Sequence, residues 1–243
     1  MKILVCISHV PDTTSKINFI ENNTRLDTNG VQFIIGPYDD YALARAIELK
    51  ESLGATVTVL NVGTAETEPT LRKALAIGAD DALRVHAEPT DSFFVASQIA
   101  EWGKGYDLIL MGRESIDYNG GVVHSLSGEL LGLPSFSPVM KLDIEGTKVK
   151  MACEIEGGKE YIEASLPLIA GCQEPIAEWK IPNMRGIMSA RTKPLKVVEP
   201  KAIDQPTRVV KFELPKPKGA VVMIASDNVA ELVTRLKTEA KVL

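Results

Sequence analysis

Four short apolar runs, each followed by a stretch of helical periodicity, constrain this chain most tightly. Residues 3–8, 56–62, 82–85 and 108–111 are almost continuously apolar rather than alternating, the pattern of strands covered on both faces. Between the first two, Ala42, Leu43, Ala46, Ile47 and Leu49 recur at helical spacing from Tyr38 to Leu53, and Gly54 supplies the stop. A second helix starts near Thr67, accepts Pro69 in its first turn and runs to Gly78. Phe94, Val95, Gln98, Ile99 and Trp102 mark a third, and residues 122–131 a fourth that closes at Gly132 before Pro134. Strand and helix in alternation predict a wound α/β core around a mostly parallel sheet.

After Pro134 the period changes to two. Segments 139–144, 149–155 and 161–166 are separated by Glu145-Gly146 and Gly157-Gly158, which predicts an antiparallel β-meander. Residues 199–218 are rich in Pro and Lys and lack periodicity, so they read as an extended arm, with a final helix over 228–241. A long arm ending in an isolated helix buries little against its own domain and suits wrapping a partner. The expected division is 1–198 for the α/β unit and 199–243 for the arm.

Charge and composition exclude several classes. A net charge of −5 argues against a general nucleic-acid binder, which needs clustered cations to neutralise phosphates. One stretch reverses the sign: Lys180, Arg185, Arg191, Lys193 and Lys196 lie together without Asp or Glu between them. The apolar runs fall far short of the roughly 20 residues of a membrane span, and Met1 leads directly into ILVCI rather than a signal peptide. The expectation is a cytoplasmic protein without membrane insertion. Cys6, Cys153 and Cys172, like His9, His86 and His124, are scattered without metal-ligand spacing.

Ligands of wound sheets bind beyond the carboxyl ends of the strands. The fourth strand feeds Gly112-Arg113-Glu114-Ser115-Ile116-Asp117-Tyr118-Asn119-Gly120-Gly121 and then a helix, where exposed backbone N–H groups and a positive helix end favour phosphate. Asp117 or Asn119 is placed to cap that helix. The spacing matches neither GxGxxG nor a Walker A loop. Ser8, His9 and Asp12 cannot form a triad, because neighbouring strand positions point apart. Asp39-Asp40 reads as a helix first turn and Asp80-Asp81 as a strand-entry turn. The residues describe a nucleotide-binding α/β protein without catalytic machinery.

Several stretches, in this order, resemble the electron transfer flavoprotein β family: ILVCISHVPDTTSKI, VQFIIGPYDDYALARAIELKE, ETEPTLRKALAIGADDALRV, GRESIDYNGGVVHSLSGELLGLP, EIEGGKEYIEASLP and MRGIMSARTKPL. The resemblance implies a Rossmann-like, adenine nucleotide α-hydrolase-like fold that holds AMP, with an FAD shared with a larger α subunit. It places the AMP pocket at Cys6, Gly36, Pro37, Tyr38, Asp39, Val62, Gly63 and a loop comprising Tyr118, Asn119, Gly120, Gly121, Val122, Val123, His124, Ser125 and Ser127. Val122, Val123 and His124 stand where the family often has polar residues and a glycine. Thr13 and Tyr38 are implied near FAD, and Glu154 at the α subunit. The segment 182–191 is implied as a recognition loop in which Met184, flanked by Arg185 and Arg191, anchors acyl-CoA-type flavin dehydrogenases; electrons would leave for a quinone oxidoreductase, as in fatty acid β-oxidation. On this reading the chain is a carrier subunit rather than an enzyme. The alternatives are a bifurcating member with a second FAD in place of AMP, and a universal-stress-type ATP-binding module. An ATP pyrophosphatase-type hydrolase is disfavoured because ISHVPDT is not an SGGxDS-type loop.

Overall fold

A computed structural model describes residues 1–204 and 206–243. The chain runs β1 (Lys2–Cys6), β2 (His9–Pro11), β3 (Phe19–Ile20), β4 (Arg25–Leu26), β5 (Phe33–Ile35), α1 (Pro37–Leu53), β6 (Thr56–Val62), a 3-10 turn (Ala65–Thr67) and α2 (Glu68–Ile77). It continues with β7 (Asp81–Val85), α3 (Ser92–Trp102), β8 (Leu108–Gly112), α4 (Val123–Leu131), β9 (Ser135–Glu145), β10 (Lys148–Ile155) and β11 (Gly158–Ser165). Last come β12 (Leu168–Cys172), α5 (Met184–Ala190), β13 (Leu195–Val198) and α6 (Val229–Arg235), which widens into a π-helical turn at Leu236–Ala240.

Nine strands form one sheet in the order β11-β10-β9-β12-β8-β1-β6-β7-β13. Every pairing from β9 to β13 is parallel, and only β9-β10-β11 is antiparallel. The meander is therefore an extension of the parallel sheet, joined to it through β12. Alternate side chains of β1 serve two cores: Ile3 and Val5 pack with Leu43, Ile47 and Leu71 under α1 and α2, while Leu4 and Cys6 pack with Phe94 and Ile99 under α3. Both faces are covered, which is why the central strands carry no alternation. Each such aliphatic side chain contributes about 1.5–3 kcal/mol by burial.

The structure adjusts several expectations. The first strand ends at Cys6 rather than residue 8, because His9 leaves to pair with Ile35 in a separate two-stranded sheet. β12, only LIAGC after Pro167, and β13 escape a periodicity search because each is too short to show one. The segment 182–191 is a helix rather than a loop over its central residues: Asn183 caps α5 by accepting from Gly186 N. The final helix occupies 229–240 in two geometries instead of one helix over 228–241. The basic stretch is also less free than its charge suggests. Lys193 Nζ donates to Leu75 O (2.9 Å) and Ala79 O (2.6 Å) at the end of α2, and Lys180 pairs with Glu51 at 3.3 Å.

Beyond β13 the chain touches its own domain at a few points. Gln98 binds both backbone groups of Lys201, Thr207 Oγ1 donates to Asp91, and the Phe212 ring stacks on Phe19 with centroids 4.9 Å apart. Val210, Val221 and Met223 stand 77%, 81% and 86% exposed.

α5 lies against α2 through a glycine: a Cβ at Gly186 would overlap Ala76 O. Gly186→Ala is expected to push α5 from α2 and to destabilise by about 1–3 kcal/mol, the usual cost of overpacking. Urea denaturation, with proteolysis rates across residues 180–192, measures both effects.

Candidate functional site

The carboxyl ends of β1, β6 and β8 converge beside the start of α1, and one carboxylate joins them. Asp39, in the first turn of α1 and 5% exposed, accepts from Ser8 N (2.8 Å) and Ser8 Oγ (2.5 Å) on Oδ2, and from Gly112 N (2.7 Å) on Oδ1. The expectation of an ordinary first-turn acid is thus only half of its role, since its oxygens are spent on two other strand ends. Close approach requires glycine at both contacts: a Cβ on Gly36 or Gly112 would collide with this carboxylate. Burial raises the Asp39 pKa to about 6 against the lowering effect of the hydrogen bonds from Ser8 and Gly112. Burial likewise raises Asp40 to about 6, opposed by Lys73 at 3.8 Å. The Cys6 and Cys172 thiols are pushed upward by burial and then by Asp39, so both are held protonated.

Around this knot the structure gathers many of the residues singled out from the sequence. Cys6 and Val62 end their strands as buried residues, and Gly63 N donates to Val85 O at 3.0 Å. Pro37 begins α1, and the Tyr38 ring lies under the Arg113 guanidinium at 5.4 Å from its centroid. Arg113 is also held by Gln173 Oε1 (2.8 Å) and Glu114 (3.5 Å). The loop after β8 turns through Asn119 (φ 50°) and Gly121 (φ 62°), with Tyr118 64% exposed. Asp117 and Asn119 do not cap α4. Its cap position is Val122 without a side-chain bond, and Asp117 turns back to Tyr118 N. The first amides of α4 are consequently left without a side-chain acceptor, in a place where an anion is favoured.

Beneath the loop, His124 is buried and its Nδ1 lies 2.9 Å from Ser125 Oγ and 3.4 Å from Ser135 Oγ. Burial lowers its pKa, so it is a neutral ring at pH 7. Among the described residues three buried side-chain oxygens lack partners: Asn61 Oδ1 near the end of β6, Ser115 Oγ in the loop after β8 and Ser127 Oγ within α4. Unmatched buried oxygens next to uncapped amides are what a polar ligand with donors and acceptors satisfies. Neither Asn61 nor Ser115 was singled out from the sequence; their signal was position, at the end of one strand and in the loop after another. Thr13 is exposed in the β2–β3 connection and does not join this cluster. Ser8, His9 and Asp12 make separate bonds, to Asp39, Thr70 and Thr14, so no triad forms. A recess of 340 Å³ lined by Tyr106, Asp107 and Leu133 lies at the amino end of β8, the opposite end of the sheet.

The residues implied for partner contact lie elsewhere. Met184, Arg185 and Arg191 are exposed on α5 and its end, with Met184 75% exposed. Glu154 is exposed on β10, and its carboxylate accepts from Gln173 Nε2. Among the described residues no three His, Cys, Asp or Glu side chains form a metal-sized cluster, and no helix is long and apolar enough to cross a membrane.

Comparison with known proteins gives one consistent result. The model of a family described as electron transfer flavoprotein domain matches residues 24–203. The chain is 34% identical over 259 aligned residues to the electron transfer flavoprotein subunit beta of Bacillus subtilis, spanning 100% of both chains. It is 32% identical to that of Syntrophomonas wolfei over 93% of this chain and 91% of the relative, and 30% identical to that of Bradyrhizobium diazoefficiens over all of both.

The raised pKa of Asp39 fixes a sign. Between its unfolded value near 3.8 and its folded value of about 6, the native state holds more protons than the unfolded state, so stability falls as pH rises through that window. Asp39 accounts for a decline of about 3 kcal/mol at 1.36 kcal/mol per unit. In Asp39→Asn that part of the slope should vanish, leaving the parallel contribution of Asp40, as urea unfolding from pH 4 to pH 7 would show.

Proposed function

The chain belongs to the electron transfer flavoprotein family, and from that premise we propose that it is the smaller, β-type subunit of a heterodimer that carries electrons from flavin dehydrogenases to a quinone oxidoreductase. An FAD is shared with the larger α-type subunit, and AMP is held structurally by this chain. The observation that carries the reading is the strand-end cradle: Gly36 and Gly112 drawn tight to Asp39, α4 amides without a side-chain cap, and the unpartnered oxygens of Asn61, Ser115 and Ser127.

The division of labour follows from these groups. The α4 amides and the Gly120-Gly121 turn receive the AMP phosphate by backbone donation, which the Val122 and Val123 side chains leave intact. Ser127 Oγ and Ser115 Oγ satisfy the nucleotide's polar edge, and Cys6, Val62 and Gly63 furnish an apolar wall. FAD supplies the redox chemistry when bound. Tyr38, steadied by Arg113, and the exposed Thr13 would contact it from this subunit, and Glu154 would meet the α-type subunit. Met184 on α5 offers dehydrogenases a flexible apolar contact, and Arg185 and Arg191 steer acidic surfaces toward it. The chain supplies position, exclusion of water and charge, and no acid–base group enters the reaction.

Purification of the chain with an α-type partner, followed by release and mass analysis of nucleotides, should give one FAD and one AMP per heterodimer. Two FADs would replace this reading with a bifurcating one, and ATP without flavin would replace it with a stress-type nucleotide binder. Ser127→Ala should weaken AMP retention about fivefold to tenfold, the loss of one hydrogen bond near 1 kcal/mol. Met184→Asp should raise the KM for reduction by a partner dehydrogenase at least tenfold while leaving Tm and flavin content unchanged; unchanged kinetics would remove α5 from the docking surface.

A further inference from the structure

A buried cation lies on β7, separated from β8 and its loop by β1 and β6, and takes no part in the assignments above. Arg84, next to last in β7, is 6% exposed. Its Nη1 donates to Gly63 O at 3.1 Å and to His86 Nδ1 at 3.0 Å, both neutral acceptors. Among the described residues no carboxylate lies within 4.0 Å of the guanidinium, whereas the arginines that are ion-paired, Arg25, Arg45, Arg72, Arg113 and Arg235, are all more exposed than this one. An uncompensated buried charge is costly, and proteins retain one where a counter-charge arrives.

The geometry also fixes its neighbour. A guanidinium only donates, so His86 Nδ1 must be the acceptor and the ring proton sits on Nε2. His86 is exposed, so Arg84 at depth and the Nε2–H group at the surface form a graded pair of donors opening on the carboxyl end of the sheet. Two further orphans adjoin it. Arg84 Nε and Asn61 Oδ1 are unpartnered, and their residues are register neighbours on β7 and β6 with side chains on the same face. Pairing either atom would leave the positive charge of the guanidinium uncancelled, and it is the charge that needs an explanation.

We propose that Arg84 and His86 form an oxyanion site for a phosphate group, separate from the loop between β8 and α4. The guanidinium supplies the buried charge and planar donors, and His86 Nε2–H closes the site at its mouth. The phosphate group comes either from free phosphate or from the far end of a nucleotide longer than AMP lying across Gly63, whose carbonyl Arg84 holds.

The test titrates inorganic phosphate into the full chain, nucleotide-free and AMP-saturated, at constant ionic strength by calorimetry, with Arg84→Met and His86→Ala as variants. The same proteins are titrated with AMP and ADP. If the group is free phosphate, the AMP-saturated wild type binds phosphate, His86→Ala binds several-fold more weakly, and Arg84→Met not measurably. If it belongs to a longer nucleotide, ADP binds at least tenfold more tightly than AMP, and both variants reduce that ratio. The proposal is overturned if His86→Ala, whose exposed side chain leaves the fold intact, matches the wild type in both titrations, or if the wild type neither binds phosphate nor prefers ADP. Loss of AMP binding alone would count against the AMP assignment and not against this site, because the difference in phosphate binding between wild type and the two variants, taken without nucleotide, reads it independently.

Discussion

The functional end of this molecule depends on one buried carboxylate. Asp39 is reached by the chain leaving β1 through Ser8 and by the last residue of β8 through Gly112, and it does so from the first turn of α1. A helix N-terminus is a favourable place for an anion. Here the anion spends its lone pairs on backbone groups of two strand ends, so the helix and both strands keep one relative position. The glycines follow from this constraint: any side chain at Gly36 or Gly112 would occupy the space the carboxylate fills. The loop that starts at Gly112 is thereby anchored at its root, while its tip turns through the left-handed residues Asn119 and Gly121.

Much of the fold could be read from the chain because the central strands are covered twice. Residues 56–62 and 108–111 have no polar face, and no other common arrangement of short strands has that property. The meander was equally legible, since Gly146 and Gly157 occupy left-handed turns between alternating strands. What escaped was short or non-local. β12 is five residues with no period, yet it is the strand that joins the meander to the parallel sheet. α5 is seven residues capped by Asn183, and in sequence its glycine reads as a breaker, whereas in space that glycine admits Ala76 O.

The site was legible to a smaller degree, for a physical reason. Backbone donors depend on where strands end, which periodicity supplies, so the position of the Gly112–Gly121 stretch between β8 and α4 can be read from the chain. Side-chain roles depend on partners far away in sequence. Asp39 and Asp40 are identical in local context, but Asp39 turns to Ser8 and Gly112 while Asp40 faces Lys73. Asp117 and Asn119 had the right composition and spacing for a cap, and the loop's left-handed turn at Asn119 carries both away from the α4 amides.

The contrast between the sheet and the arm bears on how such a subunit works. The sheet satisfies its own backbone and packs both faces, so it can fix groups to within fractions of an ångström. The arm bonds its own backbone within α6 and the turn that follows, but leaves much of its apolar surface unpacked. Its apolar side chains, Val210, Val221 and Met223 among them, face solvent, and it is tethered by Gln98, Asp91 and the Phe19–Phe212 stack. Apolar surface of that extent on an extended segment is stabilised only by another surface. Here the arm follows β13 at one edge of the sheet, α5 presents an exposed Met184, and the Asp39 knot joins the carboxyl ends of β1 and β8. The apolar surface of the arm, the basic surface of α5 and the knot thus belong to different elements and share no residue, so a change at one leaves the other two in place.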